Sequence, residues 1–374
     1  MDDAPSGREQ PTRRPPPPAS APASDATSHS ALDPVPASLL AARETARRDG
    51  CMRKGTIRTG CAEVDETVLL GGFERGCVVG VSAEDDRFAL QLGLQSIAHA
   101  LVAAPAAAAP AARIITTQAT AALAPALRAC VVAQLLVQQQ QQQQQQQDVD
   151  ARAKALLRRV SLSRVFDVQG LWEALRELEH EAGPAPDVIL ITHMAGLMKA
   201  LFAAHKASAH ATLQRLASHL RQAARAPPRG GPLVMVLNAT GAASPGPAST
   251  TAAAKPLDPT LRSIFDAPPA RRSRPAFGLV FTQMLDMHLL CTRVPRDRAD
   301  AQAVAGASSG GGVASGARFV WVVECLLDEI GVWEEEEEEQ GREERARKGR
   351  RCREQRWGAV DFDGEYRLVD AFRS

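Results

Sequence analysis

Apolar positions along the chain fall into short continuous runs separated by stretches at helical spacing. Residues 77–82 form a strand-length apolar run, and Leu90, Leu94, Ile97 and Leu101 then recur as one face of a helix does. The alternation repeats. Strands are predicted over 113–117, 160–166, 187–192 and 233–237. Helices are predicted over 121–137, over 171–180, and where Leu213, Leu216 and Leu220 run on towards Gly230-Gly231. Pro125 falls in the first turns of its helix, where a missing N–H costs little. Residues 187–192, Asp-Val-Ile-Leu-Ile-Thr, are the clearest buried strand. Short apolar runs alternating with helices imply a parallel sheet covered on both faces. Segments 277–292, 319–327, 357–362 and 366–369 lack helical patterns between them and are expected to extend the sheet as antiparallel hairpins.

Residues 1–36, with Pro15–Pro18 and many Ser and Ala, lack the apolar content to offset ordering entropy and are expected to be a disordered tail. Residues 37–374 read as a single core with low-complexity insertions at 138–147 (glutamines), 240–255, 301–316 and 334–353. The last joins Glu334–Glu339 to a basic stretch.

Composition narrows the classes further. A 45% hydrophobic fraction is ordinary for a folded protein of this kind. Forty-four basic against 43 acidic residues leave +1, so nucleic-acid binding would need a local patch. Seven scattered cysteines, without a C-x-x-C pair, suit free thiols in a reducing compartment. The polar, Pro-rich N-terminus has no secretion-signal core. Residues 98–112 are apolar but broken by Pro105 and Pro110, so no membrane partner is expected. The expected location is the nucleus or the cytosol.

Thr59-Gly60-Cys61-Ala62-Glu63-Val64-Asp65, followed by Leu69-Leu70-Gly71-Gly72-Phe73-Glu74-Arg75-Gly76, resembles the opening of the RecA/RadA recombinase core. That family, which includes the eukaryotic recombinase paralogues, has a Thr-Gly step, a Leu-Asp pair, Leu-Leu-Gly-Gly, and a glycine opening the phosphate-loop strand. Val64 stands for the usual Leu. The glycine pair makes a tight turn and Gly76 lets the chain enter the strand. The likeness continues in order. Arg164-Val165-Phe166 matches an Arg-hydrophobic-Phe step, residues 187–192 fall at the Walker B strand, and residues 233–238 fall at a strand ending Thr-Asn-Gln. The resemblance implies a RecA-like P-loop NTPase fold over about residues 55–370.

A working phosphate loop needs G-x-x-x-x-G-K-[ST], with backbone N–H groups around the phosphates, a lysine, and a hydroxyl on Mg²⁺. The corresponding residues are Ala83, Glu84, Asp85, Asp86, Arg87, Phe88, Ala89 and Leu90. Phe88 replaces the second glycine, Ala89 the lysine and Leu90 the hydroxyl residue. Asp85 and Asp86 would repel a triphosphate, though their position also suits the start of a helix. Gln118 stands where the family has the glutamate that orients water, and cannot accept a proton at neutral pH. The Walker B acid is replaced by Thr192 or His193. Asn238 matches the Thr-Asn-Gln step, with Ala239 after it. The expectation is a degenerate ATPase with no cofactor, ATP included, and no catalytic residues.

His193 reads as a polar cap at a strand end. His205, His210 and His219 do not share a helix face, so no metal site is expected. The family's loops after the Asn-ending strand face single-stranded DNA. Here that place carries Lys255, Arg262, Arg271, Arg272 and Arg274, which are the candidate DNA contacts, without an aromatic platform beside them. Phe265 reads instead as part of an amphipathic turn over 261–265. The resemblance implies a non-catalytic recombinase paralogue, DNA-binding or adaptor, in homologous recombination and repair. Its partners would be single-stranded DNA, a recombinase or other RecA-fold subunits. The alternative is a structural RecA-fold subunit of a larger complex, such as an Elongator-like tRNA-modification assembly, which an acidic run after the first strand also fits.

Overall fold

The computed structural model describes residues 35–103, 111–142, 148–180, 186–225, 231–242, 263–265, 273–310, 317–330, 356–364 and 366–372. The chain divides into two units, Met1–Ala42 and Arg43–Ser374. Helix α1 (Ala37–Lys54) precedes a π-helical turn (Glu63–Val68), β1 (Val78–Ala83), α2 (Asp86–Ala103), β2 (Ala112–Thr116) and α3 (Thr120–Gln142). Next come α4 (Val149–Leu157), β3 (Val160–Arg164), α5 (Val168–His180), β4 (Val188–Ile191), α6 (Met194–Ala204) and α7 (Ala209–Arg225). The chain continues with β5 (Leu233–Ala242), β6 (Ser273–Pro275), α8 (Leu279–Thr282), β7 (Met287–Pro295) and α9 (Arg298–Gly310). It closes with β8 (Phe319–Asp328), β9 (Arg356–Phe362) and β10 (Leu368–Asp370).

The strands form one sheet in the order β10-β9-β8-β7-β1-β5-β4-β2-β3, with β6 off this path against β5. From β3 to β7 neighbouring strands are parallel, and β8, β9 and β10 are antiparallel. Successive strand residues face opposite sides. Val79, Val81, Leu190, Leu233 and Met235 join one buried cluster with α2, α3 and α4. Val78, Ile189, Ile191, Val234 and Val236 join a second cluster with α5, α6, α7 and α8. This is the expected architecture: a RecA-like, mostly parallel sheet between helices, with antiparallel strands on its C-terminal side.

Several sequence expectations need correction. Residues 277–292 join the sheet antiparallel to β8 as expected, but not as strand throughout: Phe277 and Gly278 turn at positive φ, α8 follows, and β7 also runs parallel to β1. Much of 301–316 is helix, because Asp297 accepts the Asp300 N–H and starts α9. Thr240, Gly241 and Ala242 continue β5 against β6 rather than open a linker. The first glutamines of the 138–147 run prolong α3, and the rest lie outside the described residues. Residues 1–34 and 331–355, which hold most of the expected tail and the acidic-basic insertion, also lie outside them. Helices α1, α4 and α6 were not anticipated. Asp148, which accepts from the N–H groups of Asp150 and Ala151, was the readable start signal for α4. Among the described residues, Thr120–Gln140 is long and apolar enough to cross a bilayer, and here it packs against α2 and α4.

The opening motif has a local physical account. Asp65 is buried, and its carboxylate accepts the Thr59 N–H at 2.7 Å, the Thr59 hydroxyl at 2.9 Å and the Gly60 N–H at 3.0 Å. Its backbone carbonyl accepts the Gly71 and Gly72 N–H groups. Gly71, Gly72 and Gly76 take φ of 117°, 109° and 76°, which side chains rarely adopt. The Thr-Gly and Asp positions are therefore one cap, and the glycine pair is the turn it holds.

Candidate functional site

In open α/β sheets ligands bind outside the carboxyl ends of the parallel strands. Here that edge gathers the ends of β1, β2, β4, β5 and β7, and with them most of the singled-out residues. Strand β1 ends at Ala83 and α2 begins at Asp86, so only Glu84 and Asp85 connect them. Asp85 accepts the Arg87 N–H at 2.8 Å and its carbonyl accepts from Phe88 and Ala89, making it the helix cap. Asp86 is exposed in the first turn, where the helix dipole favours it. Glu84 accepts the Arg293 N–H at 2.9 Å and the Ser273 hydroxyl, tying β6 and β7 to the end of β1. A carboxylate of the chain itself thus holds this corner together.

The residues after it point into the core. Phe88 is fully buried and stacks on Trp321, ring centroids 4.4 Å apart, with Phe362 edge-on at 6.0 Å. Ala89 is buried and Leu90 packs partly against the same cluster. The Arg87 guanidinium lies 6.0 Å from the Phe362 ring.

Gln118 and His193 meet. The Gln118 amide contacts His193 Nε2 at 2.8 Å, and His193 Nδ1 contacts the Thr192 hydroxyl at 2.9 Å. That hydroxyl donates to Thr116 Oγ1 at 2.8 Å, which also accepts the Gln118 N–H at 3.0 Å. One tautomer satisfies the whole ring: Gln118 donates to Nε2, and Nδ1–H donates to Thr192. His193 occupies the first position before α6 at φ 58° but makes no side-chain cap there, so the expected cap is instead a link between two strand ends. The ring of amide, imidazole and hydroxyls offers Mg²⁺ no carboxylate.

Asn238 lies on the opposite face of the sheet, buried beside β1. Its amide nitrogen donates to Ser82 Oγ at 3.3 Å and to the Ala276 carbonyl at 3.1 Å, while its oxygen has no partner among the described residues. Ser82 Oγ also contacts His288 Nε2 at 2.9 Å. Burial pushes the fully enclosed His288 down to about 3, so it is neutral. Sequence reasoning passed over His288 and Ser82; the signal was a histidine alone in the apolar run Met287-His288-Leu289-Leu290.

Of the candidate DNA contacts, Arg274 is described. It lies in β6 opposite Gly241, with a buried Nε that has no hydrogen bond among the described residues. Lys255, Arg262, Arg271 and Arg272 lie outside the described residues. Ser263, Ile264 and Phe265 are held on the antiparallel side. Ser263 Oγ donates to Glu324 at 2.6 Å, the Ile264 N–H donates to it at 2.8 Å, and Phe265 meets Trp357 edge-on at 5.2 Å. A lone buried glutamate in the apolar strand Phe319–Asp328 was the missed signal.

Among the described residues no group of three or more His, Cys, Asp or Glu is placed to hold a metal ion. Cys51, Cys61, Cys77, Cys130, Cys291 and Cys325 are free thiols. Burial pushes Cys61 up to about 12 and Cys130 up to about 11, which keeps both protonated.

No protein-family profile matches the chain, and no curated protein matches it. Among solved structures it is similar to the crystal structure of the RadB recombinase, at 12% identity and a TM-score of 0.48, over 85% of this chain and 100% of that one. The strand order and directions define the fold; a likeness this distant says nothing of activity.

Proposed function

We propose that the chain is a non-hydrolysing RecA-like recombinase paralogue, an adaptor or DNA-binding protein of homologous recombination and repair that works in the nucleus without ATP. The observation that carries this reading is the connection between β1 and α2. Two residues cannot wrap a row of backbone N–H groups around a phosphate, and the residues that would supply lysine and hydroxyl are Ala89 and Leu90. Glu84 adds like charge at the same corner. The Gln118–His193 ring, which brings no carboxylate to this corner, supports the reading from the metal side.

Its direct partners would be single-stranded DNA, a recombinase or other RecA-fold subunits, with Arg274 the described candidate for phosphate contact. The acidic run after β1, Glu84-Asp85-Asp86, favours one second reading, a structural subunit of an Elongator-like complex. Calorimetric titration with Mg–ATP should give no heat of binding, and the protein should shift single-stranded DNA less as salt rises. ATP turnover at an ordinary rate, lost when residues 83–90 are altered, would end the proposal. No DNA shift, together with co-purifying tRNA-modification subunits, would select the second reading.

A further inference from the structure

Ser161 is the second residue of β3, the strand that ends the sheet on its parallel side. Its side chain is exposed, and its Oγ accepts a hydrogen bond from Arg113 Nη1 of β2 at 3.3 Å. Arg113 Nη2 donates to Glu177 of α5 at 3.1 Å. Just before the strand stand an exposed Arg158 and a half-buried Arg159, giving Arg158-Arg159-Val160-Ser161. An accessible hydroxyl on already extended backbone therefore has two guanidinium groups upstream in sequence and a third at hydrogen-bond distance.

We propose that Ser161 is a phosphorylation site for a serine kinase with an acidic peptide groove, and that Arg113 receives the phosphate. The two upstream arginines supply the charge such a groove reads. A strand at the sheet edge needs the least unfolding to be presented as an extended peptide. In the transfer, Ser161 Oγ bonds to the γ-phosphorus of the kinase's ATP. The bond from that phosphorus to the bridging oxygen breaks, ADP leaves, and the hydroxyl proton passes to the kinase's carboxylate base. The new dianion stands beside a guanidinium that can bridge two of its oxygens. Glu177, whose side chain is 65% exposed, is a weak competitor for it. Phosphorylation thus moves Arg113 off α5 and places negative charge on the edge of the sheet, where it opposes addition of a further strand.

The test uses the folded full chain with ATP and a kinase selective for Arg-Arg-x-Ser. One phosphate is expected, mapped to Ser161 by fragmentation mass spectrometry and missing in Ser161→Ala. Incorporation should slow by roughly tenfold or more in the Arg158→Ala, Arg159→Ala double variant. Arg113→Lys should still be phosphorylated but lose the phosphate faster to a phosphatase, because a point charge cannot bridge two oxygens. Equal uptake by Ser161→Ala, or labelling of Ser161 only after heat-unfolding, would overturn the site; an unchanged phosphatase rate in Arg113→Lys would overturn the receiving role.

Discussion

The two ends of β1 carry two halves of one resemblance, and they differ in what their residues touch. Before the strand, at residues 59–76, the centre of the match is local, with Asp65 capping Thr59 and Gly60, 6 residues away or fewer, while Glu63 and Arg75 around it reach Asp370 and Asp187. After it, at residues 83–90, the departures from the pattern are tied to distant chain. Glu84 reaches Arg293, 209 residues on, and Phe88 stacks on Trp321. At the first end the Thr-Gly, Asp and glycine-pair positions shape the turn of the chain itself. At the second end, packing and strand ties occupy the place where the resemblance would put a ligand-binding loop.

That contrast can be broken at either end. Phe88→Ala should be the costliest change, about 3–5 kcal/mol, because it opens a cavity between α2 and the antiparallel strands. Urea unfolding measures it, and a loss below about 1 kcal/mol would mean that the ring is not structural. Asp65→Ala should cost about 2–3 kcal/mol by stranding the buried Thr59 N–H and hydroxyl, read the same way.

The neutral His288 predicts a pH effect. Its folded value is depressed to about 3, so the unfolded chain takes up a proton first as pH falls. Its contribution is full above the unfolded value of about 6.5 and is lost progressively from there down towards 3, at up to ~1.4 kcal/mol per pH unit. His288→Gln should flatten that slope in urea midpoints taken across the window; an unchanged slope would assign it to other groups. The smallest effect is expected at His193. His193→Gly relieves a side chain held at φ 58° but loses the links to Gln118 and Thr192, so thermal unfolding should move by less than about 1 kcal/mol.

Much of the site was legible, and unevenly. Gln118, His193 and Asn238 were picked out through the resemblance, and the first two do meet. That Asn238 joins Ser82 and His288 on the other face depended on the pairing of β1 with β5 and β7, which brings together residues 156 and 206 positions apart. That Ala89 and Leu90 stand where the resemblance would put Lys and Ser/Thr was readable; the shortness of the β1–α2 connection was not, since helix starts are set by capping geometry as well as residue type.

Local periodicity determined the alternation of strands and helices, and local hydrogen bonding determined the turn at 59–76, because both act between residues near in sequence. The tertiary structure decided that β7 lies parallel beside β1, that Phe88 is core, and that Glu84 joins three strands. Those outcomes depend on long-range burial and strand pairing, and neither leaves a mark within a short window of chain.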